Sequence, residues 1–345
     1  MSAKIAKTMA RQREKIAEGN YYEAHQQLRV ITARYLKSKD YDSACEVLQN
    51  GSVLLLKAGQ GGSGGDLAMM LLKDVYITAE LECNETNKAK LLEILRAFPK
   101  DEPTRKRFIQ EMIGWSGRFG DIERGDPELH YAAGSIYAEE GDAYAAEHHL
   151  LLGTKDSAPL LARLHYSWYA TDSPHLAAIY ASRSVLPYLV LGNLASATTA
   201  YSTFTSQLTT TNPALFTQSI ESSKSSNQIR VFPSLPLLNF LSLVLLSCQK
   251  GDASLFKSLG KHYMVHLKET DDLWSEAMAN IGEIWFGIRI PKQRGNPLMD
   301  MMGGMLFGGG NTPKPSTPRS GTPKPKGEGA KKEAGGGTPV GMDLD

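Results

Sequence analysis

The sequence has few of the features that mark secreted, membrane-spanning or disulfide-bonded proteins. Its 345 residues include three cysteines, which lie far apart and form no pairing motif, as is typical of a reducing compartment. The N-terminal residues carry charges throughout and lack the apolar core of a signal peptide. The nearest approach to a membrane span, residues 235–248, is too short and is interrupted by polar residues and a proline. We therefore expect a soluble, cytosolic protein without direct membrane insertion.

Signatures of catalysis are also scarce. Residues 59–64, GQGGSG, match the G-x-G-x-x-G dinucleotide pattern, but the surrounding sequence is helical and supplies no parallel βαβ unit. No Lys-Ser or Lys-Thr follows the glycines, as a phosphate-binding loop requires. His262 and His266 have the i, i+4 spacing of metal ligands, but a third ligand is not evident. We predict no catalytic residues, no cofactor and no metal site.

A recurring helix-start pattern is what the sequence does have. Gly19-Asn20 is followed by a helix opening and then Ala24, and related patterns recur at residues 39–44, 141–146 and 192–197. Asn and Asp cap the first amides of a helix, and a small Ala one turn later lets a neighbouring helix approach closely. Helix pairs that cannot bury their apolar stripes alone do so by stacking. The pattern predicts an all-α protein, a right-handed α-solenoid of degenerate TPR-like helical hairpins.

Two stretches receive special predictions. The glycines before Asp66 are expected to form a flexible loop, with Asp66 capping a helix over 66–83. A helix is expected over 213–221. In residues 222–236, the alternating run from Ile229 to Phe232 favours a small β-hairpin inserted in the C-terminal half, with a plain loop as the alternative.

Composition divides the chain into four parts. We predict an N-terminal solenoid half over residues 1–153 and a C-terminal half over 154–290. Residues 291–310 form a Met- and Gly-rich segment. Residues 311–345 repeat Thr-Pro and Lys-Pro units with glycine spacers, a composition that cannot pack a core and indicates a disordered tail.

Positive charge is concentrated at the N-terminus. Residues 1–37 contain eight Lys or Arg and three acids, a net charge of +5, whereas the whole chain has +1. Three explanations fit: a solvated helix face, a docking surface for an acidic protein, or nucleic-acid binding. Glutamates interrupt the basic stretch and no nucleic-acid motif accompanies it. The alternative function is therefore a basic-surface helical-repeat adaptor that binds nucleic acid or another acidic partner.

Several runs together resemble a known family. They are GNYYEAHQQLRVITARYLKSKDY from residue 19, LLKAGQGGSGGDL from 55, HYAAGSIYAEEGD from 130, LPLLNFLSLVLLSCQKGD from 235 and IGEIWFGIRIPKQ from 281. In this order they are similar to the Golgi-to-ER traffic protein four family, the α-helical scaffold subunit of the guided-entry pathway for tail-anchored membrane proteins. The likeness spans roughly residues 10–307.

The resemblance implies a non-catalytic adaptor that binds two proteins. Its N-terminal helices would bind the dimeric targeting ATPase of the pathway and hold it in a client-receptive form. Its C-terminal half would bind a ubiquitin-like-domain protein, which recruits a TPR co-chaperone carrying the tail-anchored client. Nucleic acid is not an expected partner.

The resemblance and the local chemistry together suggest two sets of contact residues. Tyr21 and Lys37 are expected to anchor the ATPase, and Asp66 to regulate it, unless Asp66 is only a helix cap. The expected ATPase-docking residues are Lys15, Tyr21, Tyr22, His25, Arg29, Arg34, Lys37 and Asp66. The expected contacts for the ubiquitin-like partner, unless they simply pack the solenoid, are Ile229, Val231, Phe232, Leu235, Leu237, Leu238, Phe240 and Leu241.

Overall fold

The structure, a computed structural model, describes residues 3–221, 228–268 and 272–288. The described residues belong to one compact unit. The predicted Met- and Gly-rich segment at 291–310 and the predicted tail at 311–345 lie outside them. Both predicted solenoid halves fall within the unit, and the expected boundary at residue 153 lies in the turn between two helices that pack against each other, α8 and α9.

Helices joined by short turns make up the first half of the chain. A π-helix, Leu71–Ile77, continues the fourth helix directly. The α-helices are α1 (Ala3–Ala17), α2 (Tyr21–Lys37), α3 (Tyr41–Lys57), α4 (Gly61–Met70), α5 (Glu85–Ala97), α6 (Pro103–Phe119), α7 (Pro127–Glu140) and α8 (Ala143–Leu150).

The second half is helical as well, apart from one antiparallel pair of strands. A 3₁₀ turn, Pro174–Leu176, precedes α10. The α-helices are α9 (Ser157–Tyr169), α10 (Ala177–Val190), α11 (Leu194–Thr211), α12 (Pro236–Lys250), α13 (Ala253–His262), α14 (Met264–Leu267) and α15 (Asp272–Phe286). The strands are β1 (Gln218–Glu221) and β2 (Gln228–Val231).

The recurring turn pattern performs the expected capping at most repeats. Asp40 accepts a hydrogen bond from the Ser43 amide at 3.1 Å, and Asn193 accepts one from the Ser196 amide at 3.0 Å. Asn20 is an exception: it occupies the cap position, but its side chain donates to Glu18 instead of capping α2. The prediction of a helix start there is confirmed, and the prediction of a side-chain cap is wrong.

Stacked helices bury one continuous core. Each helix packs on its neighbours along the chain, α2 on α3, α3 on α4, α7 on α8, and α9 on both α10 and α11. The small residues of the repeat pattern, Ala24, Ala44, Ala146 and Ala197, are fully buried at these crossings. Because every pair supplies surface to the next, the described chain is an α-solenoid, and the all-α prediction is confirmed.

The glycine-rich stretch is helical from Gly61 onward, so the prediction of a flexible loop before Asp66 is wrong. A Cβ on Gly64 would lie 2.6 Å from Leu56 Cγ, and a Cβ on Gly65 would lie 2.9 Å from Thr104 Cβ. These glycines therefore let α4 pack tightly against both α3 and α6. Close packing outweighs the low helix propensity of glycine. Since α4 begins at Gly61, Asp66 lies inside the helix and does not cap it.

The hairpin prediction is confirmed, with a shift in position. β1 pairs with β2 in antiparallel register, Gln218 opposite Val231 and Ile220 opposite Ile229. A plain loop is therefore excluded. The first strand takes the place of the end of the predicted helix over 213–221, whereas the residues between the strands lie outside the described part of the chain.

Candidate functional site

Helix α2 presents a polar, largely unpaired face to solvent. Tyr22 is 77% exposed and Val30 is 50% exposed. Arg29, Arg34 and Lys37 are also exposed on this side of the helix: Arg29 is seven residues after Tyr22, and Arg34 and Lys37 are four and seven residues after Val30. We call these five residues the α2 face. The opposite side of α2 is buried in the solenoid core, so the α2 face lies outside the core packing, although Arg29 also bonds to Asp66 of α4.

The other predicted residues near α2 are less accessible. Tyr21 is half-buried and packs against the core, so Tyr22 is the tyrosine that faces solvent. Lys15 on α1 forms an ion pair with Glu23 on α2. His25 is 8% exposed. Lys15 and Tyr21 therefore border the α2 face, and His25 lies beneath it.

Asp66 joins α4 to α2 through two hydrogen bonds. Its Oδ2 accepts from Arg29 Nη1 at 2.8 Å and lies 2.9 Å from His25 Nε2. The Asp66 side chain nevertheless stays 44% exposed. The structure thus brings together three residues of the predicted ATPase-docking set. The sequence could not place Asp66 beside His25 and Arg29, because the glycine stretch before it was expected to be a loop.

A small cleft adjoins this cluster. Its volume is about 220 Å³, below the 300–1,000 Å³ typical of small-molecule sites. Lys73 at its edge pairs with Glu111 of α6 at 3.4 Å. The cleft suits the contact of a protein side chain better than a cofactor. Its lining residues are Arg29, Asp66, Met69, Met70, Lys73 and Asp74, of which the last four were missed by sequence reasoning.

The hairpin in the second half is fixed to the solenoid by polar contacts. The Phe232 amide donates to Asn239 Oδ1 at 2.8 Å, and Asn239 Nδ2 donates to the Phe232 carbonyl at 2.8 Å. Arg230 Nη1 donates to Thr209 Oγ1 of α11 at 3.0 Å. Asn239 was not singled out from the sequence, since a lone Asn in an apolar helix carries no local signal. It holds the end of β2 against α12.

Most of the apolar residues predicted here pack the core. Val231 and Leu237 are half-buried, and the Ile229 side chain lies outside the described part of the structure. α12 is apolar on several sides, so its sequence periodicity does not separate a contact face from a core face. The side chains that are buried in the isolated chain are Phe232, Leu235, Leu238, Phe240 and Leu241.

The described residues contain neither a metal-binding cluster nor a membrane-spanning helix. They contain no group of three or more His, Cys, Asp or Glu side chains arranged to hold a metal ion. His262 ends α13 and His266 lies in α14, so the two histidines do not share one continuous helix as their spacing suggested. None of the described helices is both long and apolar enough to cross a membrane.

A known family model matches most of the chain. The family model described as Golgi to ER traffic protein 4 matches residues 38–306. Of the predicted ATPase-docking residues, Asp66 lies inside that match and the others precede it. The C-terminal set lies inside it entirely.

Individual relatives extend the likeness to most of the chain. The Golgi to ER traffic protein 4 of Aspergillus fumigatus is 56% identical over 323 residues, covering 90% of this chain and 92% of the relative. The protein of the same name from Schizosaccharomyces pombe is 34% identical, covering 89% and 96%. The crystal structure of C. therm. Get4 matches with a TM-score of 0.80 and 47% identity, covering 90% of this chain and 100% of that one. The chain therefore belongs to the Golgi to ER traffic protein 4 family.

Proposed function

We propose that this protein is a non-catalytic cytosolic adaptor in the targeting of tail-anchored membrane proteins. It bridges the dimeric targeting ATPase to a ubiquitin-like-domain protein, and through that protein to a TPR co-chaperone and its client. The family match supports a role in ER traffic. The observation that carries the finer proposal is the α2 face, an exposed basic and aromatic surface with the Asp66 cluster beside it.

The ATPase docks on the α2 face by two kinds of contact. Tyr22 supplies rigid amphipathic area, and the cations Arg34 and Lys37 attract an acidic surface. Asp66 has a different role, because its carboxylate is partly exposed and already held by Arg29. A partner that reaches Asp66 must compete with Arg29, which couples binding to a rearrangement in the cleft. Docking and regulation are therefore assigned to different side chains.

A charge reversal tests the docking role. Lys37→Glu is expected to weaken ATPase binding by about tenfold or more at low salt, because it places a carboxylate against an acidic partner. Lys57→Glu is the matched control, since Lys57 is an exposed lysine in the last turn of a different helix, α3. Isothermal titration calorimetry with the purified ATPase gives both affinities. Equal affinities for the two variants would remove the α2 face from the interface.

An isosteric change tests the regulatory role of Asp66. Asp66→Asn keeps an acceptor for Arg29 but removes the negative charge, so folding and ATPase binding should persist while control of the hydrolysis rate is lost. Asp74→Asn, an exposed carboxylate on the same cleft, is the control. Hydrolysis rates that are identical with the original protein and with Asp66→Asn would show that Asp66 only links α2 to α4.

The ubiquitin-like partner docks beside the hairpin, where Val231 and Leu237 remain partly accessible. Leu237→Ala is expected to weaken its co-purification, whereas Leu243→Ala, a half-buried leucine on another side of α12, should not. If pull-down from a cytosolic extract followed by mass spectrometry recovers nucleic-acid-bound proteins and neither expected partner, the alternative of a nucleic-acid adaptor gains and this proposal fails.

A further inference from the structure

Three histidine rings meet in the α7–α8 hairpin. His130 Nδ1 on α7 lies 3.0 Å from His149 Nδ1 on α8, and His130 Nε2 lies 3.0 Å from the Arg124 carbonyl oxygen. His130 is 1% exposed. The His149 ring stacks on Tyr137 with centroids 5.8 Å apart, and His148 meets it edge-on at 5.1 Å. The contact joins the α6–α7 connection, α7 and α8.

Hydrogen bonding allows one arrangement of protons in this pair. A carbonyl oxygen only accepts, so His130 Nε2 carries the proton that it donates to Arg124. In the neutral ring, His130 Nδ1 is then an acceptor, and the donor must be Nδ1–H of His149. A proton added to His130 keeps the hydrogen bond only if His149 moves its own proton to Nε2, and protonation of both rings would bring two N–H groups face to face at 3.0 Å. The closed pair therefore accepts at most one proton, and that charge would be buried.

The nearby carboxylates already have partners, although the charge of Asp126 acts to raise the pKa of His130. Among the described neighbours, Asp126 caps α7 and bonds to Lys88, and Glu140 is held by Arg105. Burial, with the neighbouring His130 and His148, lowers the pKa of His149 to about 3. Burial also lowers the pKa of His130 and His148. The titratable and charged groups on these elements and on the helices packed against them include Lys88, Arg105, Asp121, Glu123, Arg124, Asp126, Glu128, Tyr131, Tyr137, Glu139, Glu140, Asp142, Tyr144, Glu147, His148, His165 and Arg183.

We propose that the His130–His149 pair is an acid-sensitive clasp that holds the α7–α8 hairpin closed at neutral pH and releases it on proton uptake. Opening separates α8 from α7 and frees the connection that ends at Asp126. The clasp lies just before the turn between α8 and α9. Acid therefore loosens the middle of the described solenoid before it affects α1 to α4. The inference does not depend on the proposed partners.

The direction of the pH effect follows from linkage. Because the folded pKa of His149 lies far below its ordinary value of 6.5, an opened hairpin binds more protons than a closed one. Stability of the closed form is complete above pH 6.5 and is lost as pH falls below it. With one histidine titrating normally in the open form, the opening equilibrium should rise about tenfold between pH 7.5 and 5.5.

Hydrogen exchange of the full chain, read by mass spectrometry at pH 7.5 and 5.5 and corrected for intrinsic exchange rates, tests the clasp. We expect α7–α8 amides to lose about tenfold protection at pH 5.5, while α2–α3 amides change little. His149→Asn should weaken this response, because the Asn amide places an N–H where Nδ1–H was but does not titrate, which leaves only His130 of the pair to take up a proton on opening. His175→Asn removes an exposed histidine outside the α7–α8 hairpin and should leave the response intact.

Unchanged protection in the original protein, or an equal acid response in His149→Asn, would overturn the proposal. Should His149→Asn fail to fold, histidine ring signals of the original protein by NMR decide the matter. The clasp requires that the His130 and His149 rings stay neutral at pH 5.5 in the closed form. If all eight histidines titrate near pH 6.5 in the folded protein, the clasp does not exist.

Discussion

The α2 face and the hairpin with α12 differ in how many of their residues also pack the core of the fold. On α2 most of the exposed residues are polar or charged and lie opposite the buried stripe, so they can be changed without touching the core. Beside the hairpin, most of the apolar residues already pack the core, and the accessible remainder is small. A docking surface can therefore be separate from the fold or part of it, and mutations should report on the two cases differently.

Phe232→Ala should give the largest effect, because it removes a core side chain at the end of the hairpin. Phe232 is fully buried, and Phe→Ala changes at such positions cost about 3–5 kcal/mol. Phe216, just before β1, is 64% exposed and serves as the control, with an expected change below about 0.5 kcal/mol. Chemical denaturation followed by circular dichroism measures both. Similar midpoints for the two variants would mean that Phe232 is not a core residue.

The glycine stretch gives the next largest effect and separates packing from propensity. Gly64→Ala should destabilise the chain by about 1–3 kcal/mol, because the added methyl group meets Leu56. Gly62→Ala should be neutral or stabilising by up to about 1 kcal/mol, since no atom lies within 4 Å of its Cβ position and alanine favours a helix. Thermal melting distinguishes them. A stabilising Gly64→Ala would contradict the close approach of α3 and α4.

The smallest effect concerns the turn between α2 and α3. Lys39 has φ 58°, a left-handed conformation that glycine takes in the equivalent turn at Gly19. Lys39→Gly should raise the free energy of unfolding by up to about 1 kcal/mol by relieving this strain. Lys57→Gly, within helix α3, should lower it by a similar amount or less. Denaturation midpoints that move in the same direction for both variants would argue against strain at Lys39.

Sequence patterns predicted the parts of this protein that depend on neighbouring residues. Turn residues and helix periodicity identified most helices, and the alternating run at Ile229 identified the hairpin. The glycine stretch was assigned wrongly because its partner Thr104 lies about forty residues away. The pairing of Asp66 with His25 also joins distant segments. Asn239 and Phe232 are only seven residues apart, but their hydrogen bonds depend on how the end of β2 meets α12, for which the sequence carries no local signal.

We propose that one chain docks two proteins by different physics, electrostatic on the α2 face and apolar beside the hairpin. The most direct test measures the affinity of the purified chain for each partner by calorimetry between 50 mM and 500 mM salt. Charged contacts weaken with screening, whereas apolar burial does not. We predict that ATPase affinity falls severalfold over this range, with a shallower fall for Lys37→Glu, and that affinity for the ubiquitin-like partner stays constant. Equal salt dependence for the two partners would contradict the account.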